Sequence, residues 1–413
     1  MSQPDKEFES LNAPRGLLWN FRESFIISIG ILFLGVAIEL LVHGQKIILP
    51  SWPYNLLTIV TFIAVLILCH RFVKHPIIRW FSSIPAAIAS ISTFTLLVLL
   101  MGFIKQDVPS SVSFINNLGL THIAQCWAYL LQTIFFLTIL GFTIIKRIQF
   151  ITFKNLAVVL SHVGLWILIV AASLGASDVV EYQMPVEETQ TTNVAFDANN
   201  SPHEMPFAIE LLDFHIDEYP PQLILLDKNN QVVKDKNGAH ELAIKEGATY
   251  KIQDWHITVT RYLEASKPEG DGFIFTDAKG GAPSAWIEVK NSSNQESYRG
   301  WISSGSIVFG KKDLRTNSGY LFFMVPPQPH RFVSEVKAHS ANGATQKAHI
   351  EVNNALVIDG WTVYQASYDS EMGKWSNYSV FSVVKDPWLK VVYLGITMLI
   401  AGAILFLWYG KTS

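Results

Sequence analysis

The sequence contains very little cysteine. Its 413 residues include only Cys69 and Cys126, and each lies in or beside an apolar segment. Two isolated cysteines provide neither a disulfide framework nor a Cys-x-x-Cys pair for metal or redox chemistry. The Cys-x-x-Cys-His motif is also missing, so the chain is not itself a c-type cytochrome.

Charged residues are also scarce. They make up 16% of the sequence, whereas hydrophobic residues make up 50%. This composition is atypical of a soluble globular protein and indicates a membrane protein. The formal net charge of -3 gives no electrostatic reason to expect nucleic acid as a partner.

Several catalytic and metal-binding motifs are missing as well. Without a Gly-x-Ser-x-Gly element or a glycine-rich phosphate loop, neither a conventional hydrolase nor a nucleotide enzyme is supported. The histidines between residues 178 and 386 show no His-x-His, His-x-x-x-His or His-Glu-x-x-His spacing, so no metal site is predicted among them. They are His203, His215, His240, His256, His330, His339 and His349.

Long apolar runs dominate what is present. A helix needs about 20 residues to cross a hydrocarbon core, and six runs reach that length. They lie at residues 24–43, 54–73, 82–104, 123–145, 155–177 and 389–409. We therefore predict a polytopic α-helical membrane protein with six transmembrane helices.

The polar region before the last run is long enough to bury its own core. Short runs such as YKIQDWHITVTRY and GYLFFMV alternate there with Gly, Asn, Asp and Pro clusters, which predicts a β-rich domain of one or two antiparallel sandwich-like modules. The predicted organisation is an N-terminal extension with two helices at 1–80, three more helices at 81–177, the β-rich domain at 178–386, and the last helix with a short tail at 387–413.

The short loops predict the orientation of the helices. Basic residues concentrate after the second and fourth apolar runs: Arg71, Lys74, Arg79, Lys146, Arg147 and Lys154. Because basic loops stay in the cytoplasm, both termini are predicted to be cytoplasmic and the β-rich domain extracytoplasmic. The first run lacks a cleavage signature and is predicted to be an anchor. In a bacterium, this places the chain in the inner membrane and its large domain in the periplasm.

His162 lies inside the fifth apolar run, NLAVVLSHVGLWILIVAASLG, roughly 10 Å along the predicted helix. An ionisable group is costly at that depth unless it has a use. One interpretation is a hydrogen bond to a neighbouring helix. The others are a proton relay and an axial ligand to haem iron. Trp166 and Ser173 are predicted on the same helix face.

Two further histidines are candidates at the predicted outer ends of helices. Glu39 is the only acidic residue within the predicted spans, and it precedes His43 by four residues, so the two could meet on one face. The plainer interpretation is an interfacial pair. His122, before the fourth helix, either receives something delivered across the bilayer or has a capping role. We retain His43 and His122 as secondary haem-binding candidates.

Residues 360–410 resemble the ResB family, also called CcsB, of cytochrome c biogenesis proteins. The family closes its external domain with Gly-aromatic-x-aromatic-Gln-x-Ser-Tyr-Asp, followed by a basic-Asp-Pro entry into a last, glycine-containing helix. The matching residues here are Gly360, Tyr364, Gln365, Ser367, Tyr368, Asp369, Lys385, Asp386, Pro387, Tyr393, Gly395 and Gly402. His162 and Gly164 match the His-x-Gly start of a helix that precedes the external domain. The resemblance covers about 82–413 and leaves 1–80 unassigned.

The resemblance implies a role in the system II pathway of cytochrome c maturation. There, a ResB protein and a CcsA-type membrane protein handle haem b as substrate and attach it to apocytochrome c outside the membrane. His162 is implied to ligate or position the haem iron, and no other metal is implied. Thioether formation needs reduced cysteines on the apocytochrome, so thiol-reducing proteins are further possible partners.

The tryptophan-rich haem-handling segment of CcsA is missing from this chain. The resemblance therefore implies a subunit of a cytochrome c haem lyase rather than a complete enzyme. Two alternatives stay open. One is a scaffold or chaperone that recruits apocytochrome without touching haem, and the other is a membrane-protein insertase.

Overall fold

The computed structural model describes residues 20–72, 74–149, 153–234, 238 and 241–409. The chain divides into two compact units, a helical unit of residues 1–179 with 386–413 and a β-rich unit of residues 180–385. The first part of the predicted N-terminal extension and the predicted tail after residue 409 lie outside the described residues.

The helical unit contains eight described α-helices. They are α1 Phe21–Leu41, α2 Tyr54–His70, α3 Pro76–Phe81, α4 Ile84–Phe103, α5 Ser113–Asn117, α6 Trp127–Ile148, α7 Phe153–Leu174 and α8 Leu389–Tyr409. Within the described part of the chain, five stretches are long and apolar enough to cross a membrane, and they contain α1, α4, α6, α7 and α8.

Five of the six predicted spans meet this length, and the sixth, α2, is a shorter apolar helix. The helix α2 has 17 residues and ends at His70 instead of continuing to residue 73. Arg71 follows the helix, and His75 has an extended backbone before Pro76 at the start of α3. A proline disfavours helical geometry in the residue before it, so the helix cannot continue through this segment.

A buried polar network holds α1, α4 and α6 together. The Ser28 and Thr93 hydroxyls lie 2.7 Å apart, and the Thr93 hydroxyl donates to Gln132 Oε1 at 3.1 Å. The Gln132 side-chain amide in turn donates to the Ser28 carbonyl at 2.6 Å. Each of the three helices thus contributes a partner, and the buried side chains of Ser28, Thr93 and Gln132 are all hydrogen-bonded.

Asp178 follows the C-terminal end of α7 and joins three segments of the chain there. Its Oδ1 accepts the Trp52 backbone N–H at 2.7 Å, just before α2. Its Oδ2 accepts the Asn55 side-chain amide and the Trp388 indole N–H, both at 2.6 Å. Asp178 therefore fixes the start of α2 and the start of α8 against the end of α7.

The helices α7 and α8 approach each other through glycine. A Cβ at Gly164 would lie 2.7 Å from the Gly395 carbonyl oxygen, and a Cβ at Gly395 would lie 2.9 Å from the Gly164 carbonyl oxygen. Further along, a Cβ at Gly402 would lie 2.8 Å from the Ala157 carbonyl oxygen. These distances are shorter than any ordinary Cβ contact, so only glycine permits this backbone contact.

The β-rich unit contains seventeen described strands. They are β1 Val180–Glu187, β2 Thr191–Phe196, β3 Pro202–Glu218, β4 Gln222–Leu226, β5 Leu242–Ala243, β6 Thr249–Ile252, β7 Trp255–Glu269, β8 Gly272–Phe275, β9 Ala282–Asn291, β10 Ser297–Ser303, β11 Leu314–Arg315, β12 Leu321–Val325, β13 Pro329–His339, β14 Thr345–Glu351, β15 Leu356–Ile358, β16 Trp361–Tyr368 and β17 Tyr378–Lys385. This confirms the predicted β-rich region.

The outer strands of the unit form one antiparallel sheet of eight, in the order β14-β13-β3-β2-β1-β17-β16-β15. The sheet curls, because β14 at one edge contacts β15 and β16 at the other edge. Its buried face encloses a hydrophobic core that includes Phe207, Trp361 and Phe381. Buried apolar residues alternate along β3 and β13, as expected for strands with one face in a core.

The strands β4 to β12 form a separate sandwich, inserted between β3 and its neighbour β13. One sheet has the order β11-β12-β4-β5, and the other has the order β10-β9-β7-β6 with β8 paired to β7. Trp255, Ile287 and Phe322 lie in the core between the two sheets. The insertion therefore has a hydrophobic core of its own.

The contact between α7 and α8 yields a stability prediction. We expect Gly164→Val and Gly395→Val each to lower the unfolding temperature in detergent, because overpacking of this kind costs about 1–3 kcal/mol. Gly30→Val in α1 is the matched control, since no atom lies within 4 Å of the Cβ position there. Equal losses in all three variants would show that helix propensity, rather than the close contact, is responsible.

Candidate functional site

His162 lies on the face of α7 that points away from α8. Gly164, which contacts α8, follows two residues later and is therefore about 200° around the helix from His162. On the His162 side, α7 forms a cleft of about 460 Å³ with α4 and α6. This cleft, here called the His162 cleft, is lined by Ser82, Ser83, Ile84, Ala87, Thr143, Lys146, Arg147, Asn155 and His162.

The His162 ring has a defined hydrogen-bond partner in its own helix. Its Nδ1 lies 2.7 Å from the Val158 carbonyl oxygen, one turn earlier. A carbonyl oxygen only accepts, so Nδ1 carries the proton and donates it. The neutral ring then has its lone pair on Nε2, which is the nitrogen available to a ligand. Metal-ligating histidines are commonly held in this way, with the second nitrogen donating to a backbone carbonyl.

Two cations line the same cleft. Lys146 and Arg147 occupy the last turn of α6, where the helix dipole favours positive charge. The wall also contains apolar atoms of Ile84 and Ala87, and no acidic side chain is among the described residues that line the cleft. A ligand that fits this chemistry has an apolar body, an anionic edge and an atom that accepts an imidazole lone pair.

Trp166 and Ser173 continue the His162 face of α7. The Trp166 indole N–H donates to the Leu137 carbonyl of α6 at 3.3 Å, and its ring stacks on Phe62 of α2 with 6.3 Å between the ring centroids. Ser173 lines a second cleft, near the start of α6 and the end of α7. The face predicted from helical spacing therefore packs against α2 and α6.

The second cleft lies at the other end of α6 and α7 and has a volume of about 860 Å³. It is called the Tyr129 cleft here, and its lining includes Ile47, Leu49, Met101, His122, Gln125, Tyr129, Ala172, Ser173 and Ser177. Lys46 and Asp107 form an exposed salt bridge of 2.6 Å among its lining residues. The two clefts are thus at opposite ends of the same helix pair.

Glu39 and His122 form a buried pair beside the Tyr129 cleft. Their side chains are 1% and 9% exposed, and Glu39 Oε1 lies 3.8 Å from His122 Nε2. The second carboxylate oxygen accepts the Trp127 backbone N–H at 2.7 Å, at the start of α6. Gly119 has a φ of +69°, and a Cβ there would lie 2.7 Å from Glu39 Oε1, so glycine permits the close approach of this loop.

This pair changes the expectations for Glu39, His43 and His122. The predicted contact of Glu39 with His43 is wrong, because α1 ends at Leu41 and His43 is exposed with a left-handed backbone. The interfacial interpretation of Glu39 is also wrong, since the carboxylate is buried against His122. His122 Nε2 is buried facing Glu39, which disfavours His122 as an iron ligand.

The motif residues of the β-rich unit have roles in its fold. Asp359 and Gly360 both have positive φ and form the two-residue turn between β15 and β16. Gln365 is buried, where its Oε1 accepts the Ser334 hydroxyl at 2.6 Å and its amide donates to the Ser367 carbonyl at 2.9 Å. The described geometry therefore explains this glycine and this glutamine without a ligand.

The remaining motif residues also have structural partners. Tyr368 stacks on Phe214 with ring centroids 5.4 Å apart. Asp369 Oδ1 accepts the Glu371 backbone N–H at 3.0 Å in a tight turn. Asp386 Oδ1 accepts the Trp388 backbone N–H at 2.9 Å just before α8, with Pro387 between them. Tyr364, by contrast, is exposed and packs in no described core.

Comparison with known proteins adds no assignment. No protein-family model matches the chain, and no curated protein matches it. The resemblance to the ResB family therefore stays a hypothesis. Its physical support is the chemistry of the His162 cleft.

The Glu39–His122 pair yields a prediction for a double-mutant cycle. We expect Glu39→Ala and His122→Ala each to lower the free energy of unfolding by about 1–3 kcal/mol, because either change leaves a buried polar group without its neighbour. The double variant should lose less than the sum of the two, as measured by chemical unfolding in detergent.

The exposed Lys46–Asp107 pair is the matched control for this cycle. Surface salt bridges contribute about 0–1 kcal/mol, so its cycle should give little coupling energy. Equal coupling in the two cycles would contradict a buried, energetically linked Glu39–His122 pair.

Proposed function

We propose that this protein is a ResB-like, haem-handling subunit of a cytochrome c maturation system. It acts with a CcsA-type membrane protein to deliver haem b, as substrate, for covalent attachment to apocytochrome c outside the membrane. The observation that carries this proposal is His162, whose Nδ1 is held by its own helix and whose Nε2 is available in a cleft with two cations.

The chemistry of the His162 cleft matches the chemistry of haem. The macrocycle is flat and apolar, and its propionates are anionic. In the proposed complex, His162 Nε2 ligates or positions the iron. Lys146 and Arg147 pair with the propionates, since charged hydrogen bonds between these groups are strong. The apolar wall of Ile84 and Ala87 contacts the edge of the macrocycle.

The proposed location is the bacterial cytoplasmic membrane. Arg71 and Arg79 after α2, like Lys146 and Arg147 at the end of α6, place positive charge at one end of the helical unit. Gln149 and His70 lie 3.0 Å apart, so the ends of α6 and α2 are neighbours. Under the positive-inside rule this end is cytoplasmic, both termini are cytoplasmic and residues 180–385 are periplasmic.

The helix α2 is proposed to be the shortest of six membrane spans. Its 17 residues extend roughly 26 Å, which lies at the lower end of the range for a transmembrane helix. Trp52 and Tyr54 flank its start as interfacial aromatic residues do.

The chain is proposed to be one part of the haem lyase and not the whole enzyme. The partner supplies the rest of the haem-handling machinery, and apocytochrome c supplies the cysteine thiols. Those thiols must be reduced before thioethers form, which assigns a supporting role to thiol-reducing proteins. His43, exposed after α1, has no ligand role in this proposal.

An absorption spectrum of the chain purified with its CcsA-type partner tests the role of His162. The wild type should carry haem, and His162→Ala should lose most of it, because the axial nitrogen is gone. Added imidazole should restore binding. His43→Ala is the matched control and should leave the spectrum unchanged.

The same experiment distinguishes the scaffold alternative. If His162→Ala carries as much haem as the wild type and cytochrome maturation continues, the protein recruits apocytochrome without ligating haem through this residue. Loss of haem in both His162→Ala and His43→Ala would point to general damage and would contradict a specific role for His162.

The two cations give a separate prediction. Lys146→Ala and Arg147→Ala should each raise the Kd for haem roughly tenfold or more, since a hydrogen bond to a charged group contributes about 1.5–3 kcal/mol. The position of the Soret band should not change, because the iron keeps its imidazole. Lys105→Ala, an exposed cation outside the cleft, is the control, and an equal effect there would contradict propionate binding at α6.

A further inference from the structure

Four potential metal ligands meet on three neighbouring strands of the β-rich unit. The strand β13 pairs with both β3 and β14, which places Glu335 opposite Asp213 on one side and opposite His349 on the other. His215 lies two residues beyond Asp213 on β3 and therefore points to the same face. These four residues, Asp213, His215, Glu335 and His349, are called the β13 cluster here.

The distances within the β13 cluster are close to those of a metal site. Potential ligand atoms of Asp213, His215 and Glu335 all lie within 4.8 Å of one another. His215 Nδ1 is 3.1 Å from Asp213 Oδ2, and His349 Nδ1 is 3.9 Å from Glu335 Oε1. Tetrahedral ligands around Zn²⁺ are roughly 3.4 Å apart, given metal–ligand bonds of about 2.0–2.2 Å. Small side-chain rotations therefore bring Asp213, His215 and Glu335 into coordination. His349 lies outside this group of three and joins it from the Glu335 side by a rotation of its own.

The backbone supports this arrangement. The pairing of β13 with β3 shifts register between Glu335 and Val336, so that Glu335 faces Asp213 while Val336 faces Leu211. Such a bulge re-aims the side chains next to it. It directs the Glu335 carboxylate and the Asp213 carboxylate to the same point on the surface of the sheet.

Two neighbouring cations, Arg331 and Lys337, pair with carboxylates outside the cluster. Arg331 binds Glu351 with both ends of its guanidinium, at 2.8 and 2.5 Å, and also lies 3.5 Å from Asp217. Lys337 on the other flank pairs with Glu210 at 3.7 Å.

Among the described residues, the ion pairs of Asp213 and Glu335 involve only the histidines of the cluster. All four side chains are partly exposed, so an ion reaches them from solvent. Two imidazoles with two carboxylates are a ligand set for Zn²⁺ and related first-row metals rather than for Ca²⁺ or Mg²⁺, which prefer oxygen alone.

We propose that Asp213, His215, Glu335 and His349 bind one divalent transition-metal ion of the Zn²⁺ class. The ion links β14, β13 and β3 across the sheet, beside the two strands between which the sandwich is inserted. Its expected effect is to stabilise the β-rich unit. The proposal is independent of haem binding, because the cluster lies wholly within residues 180–385.

The test uses the full-length protein with a tag that contains no histidine, treated with chelator and then titrated with ZnCl₂ by calorimetry. We expect one ion per chain and a higher unfolding temperature with zinc. His215→Ala and His349→Ala should each weaken binding at least about tenfold, since even residues that only support a metal ligand cost 10–100-fold when changed. Both variants should keep the metal-free unfolding temperature of the wild type, because the side chains are partly exposed.

His256→Ala is the matched control, as this exposed histidine lies on β7 in a different sheet. Cobalt absorption provides a second readout, in which intense visible bands indicate tetrahedral coordination and disappear in His215→Ala. The proposal is overturned if zinc does not bind, if it binds equally to His215→Ala and His349→Ala, or if CaCl₂ binds as tightly as ZnCl₂.

Discussion

The backbone of α7 lies directly against that of α8 at Gly164 and Gly395, and the placement of His162 depends on this contact. Because one side of α7 is committed to α8, the His162 side is left for α4 and α6. Asp178 reinforces the arrangement by binding Trp388 before α8 and Trp52 before α2. The contact at Gly164 and Gly395 and the hydrogen bond from Trp388 to Asp178 both hold α7 against α8. A helix fixed in this way presents the His162 imidazole in one orientation, as a ligand site requires.

Polar groups inside the helical unit follow a consistent rule, in which almost every buried one has a partner. Ser28, Thr93 and Gln132 satisfy one another, and Glu39 binds the first backbone N–H of α6. In a proposed membrane setting such pairing is required, because no water is available in the hydrocarbon region. Among the described residues of this unit, Glu39 Oε1, His122 Nε2 and Thr133 Oγ1 are buried without a hydrogen-bond partner. His162 is only partly buried, and the described residues give its Nε2 no hydrogen bond. Its Nδ1 donates to the Val158 carbonyl, and its Nε2 lone pair belongs to a cleft that two cations line.

The β-rich unit combines two kinds of packing. Its eight-stranded sheet curls around one core, and the inserted sandwich has another. The residues that carry the family resemblance build the last strands of the curled sheet, where Gly360 supplies a turn and Gln365 a buried hydrogen bond. These residues therefore stabilise the strands that precede α8 in the chain. The charged side chains of the proposed metal site lie on other strands of the sheet, namely β3, β13 and β14.

The sequence alone was sufficient to locate the β-rich region and the long apolar helices, because hydrophobic runs, alternation and turn residues are local patterns. It also identified His162 as a polar residue inside an apolar helix. It did not locate the partner of Glu39 or the bonds of Asp178. Those depend on residues far apart in the chain, such as Glu39 and His122 or Asp178 and Trp388. Only the tertiary structure brings them together, since strand register and helix packing are set by contacts that no short segment contains.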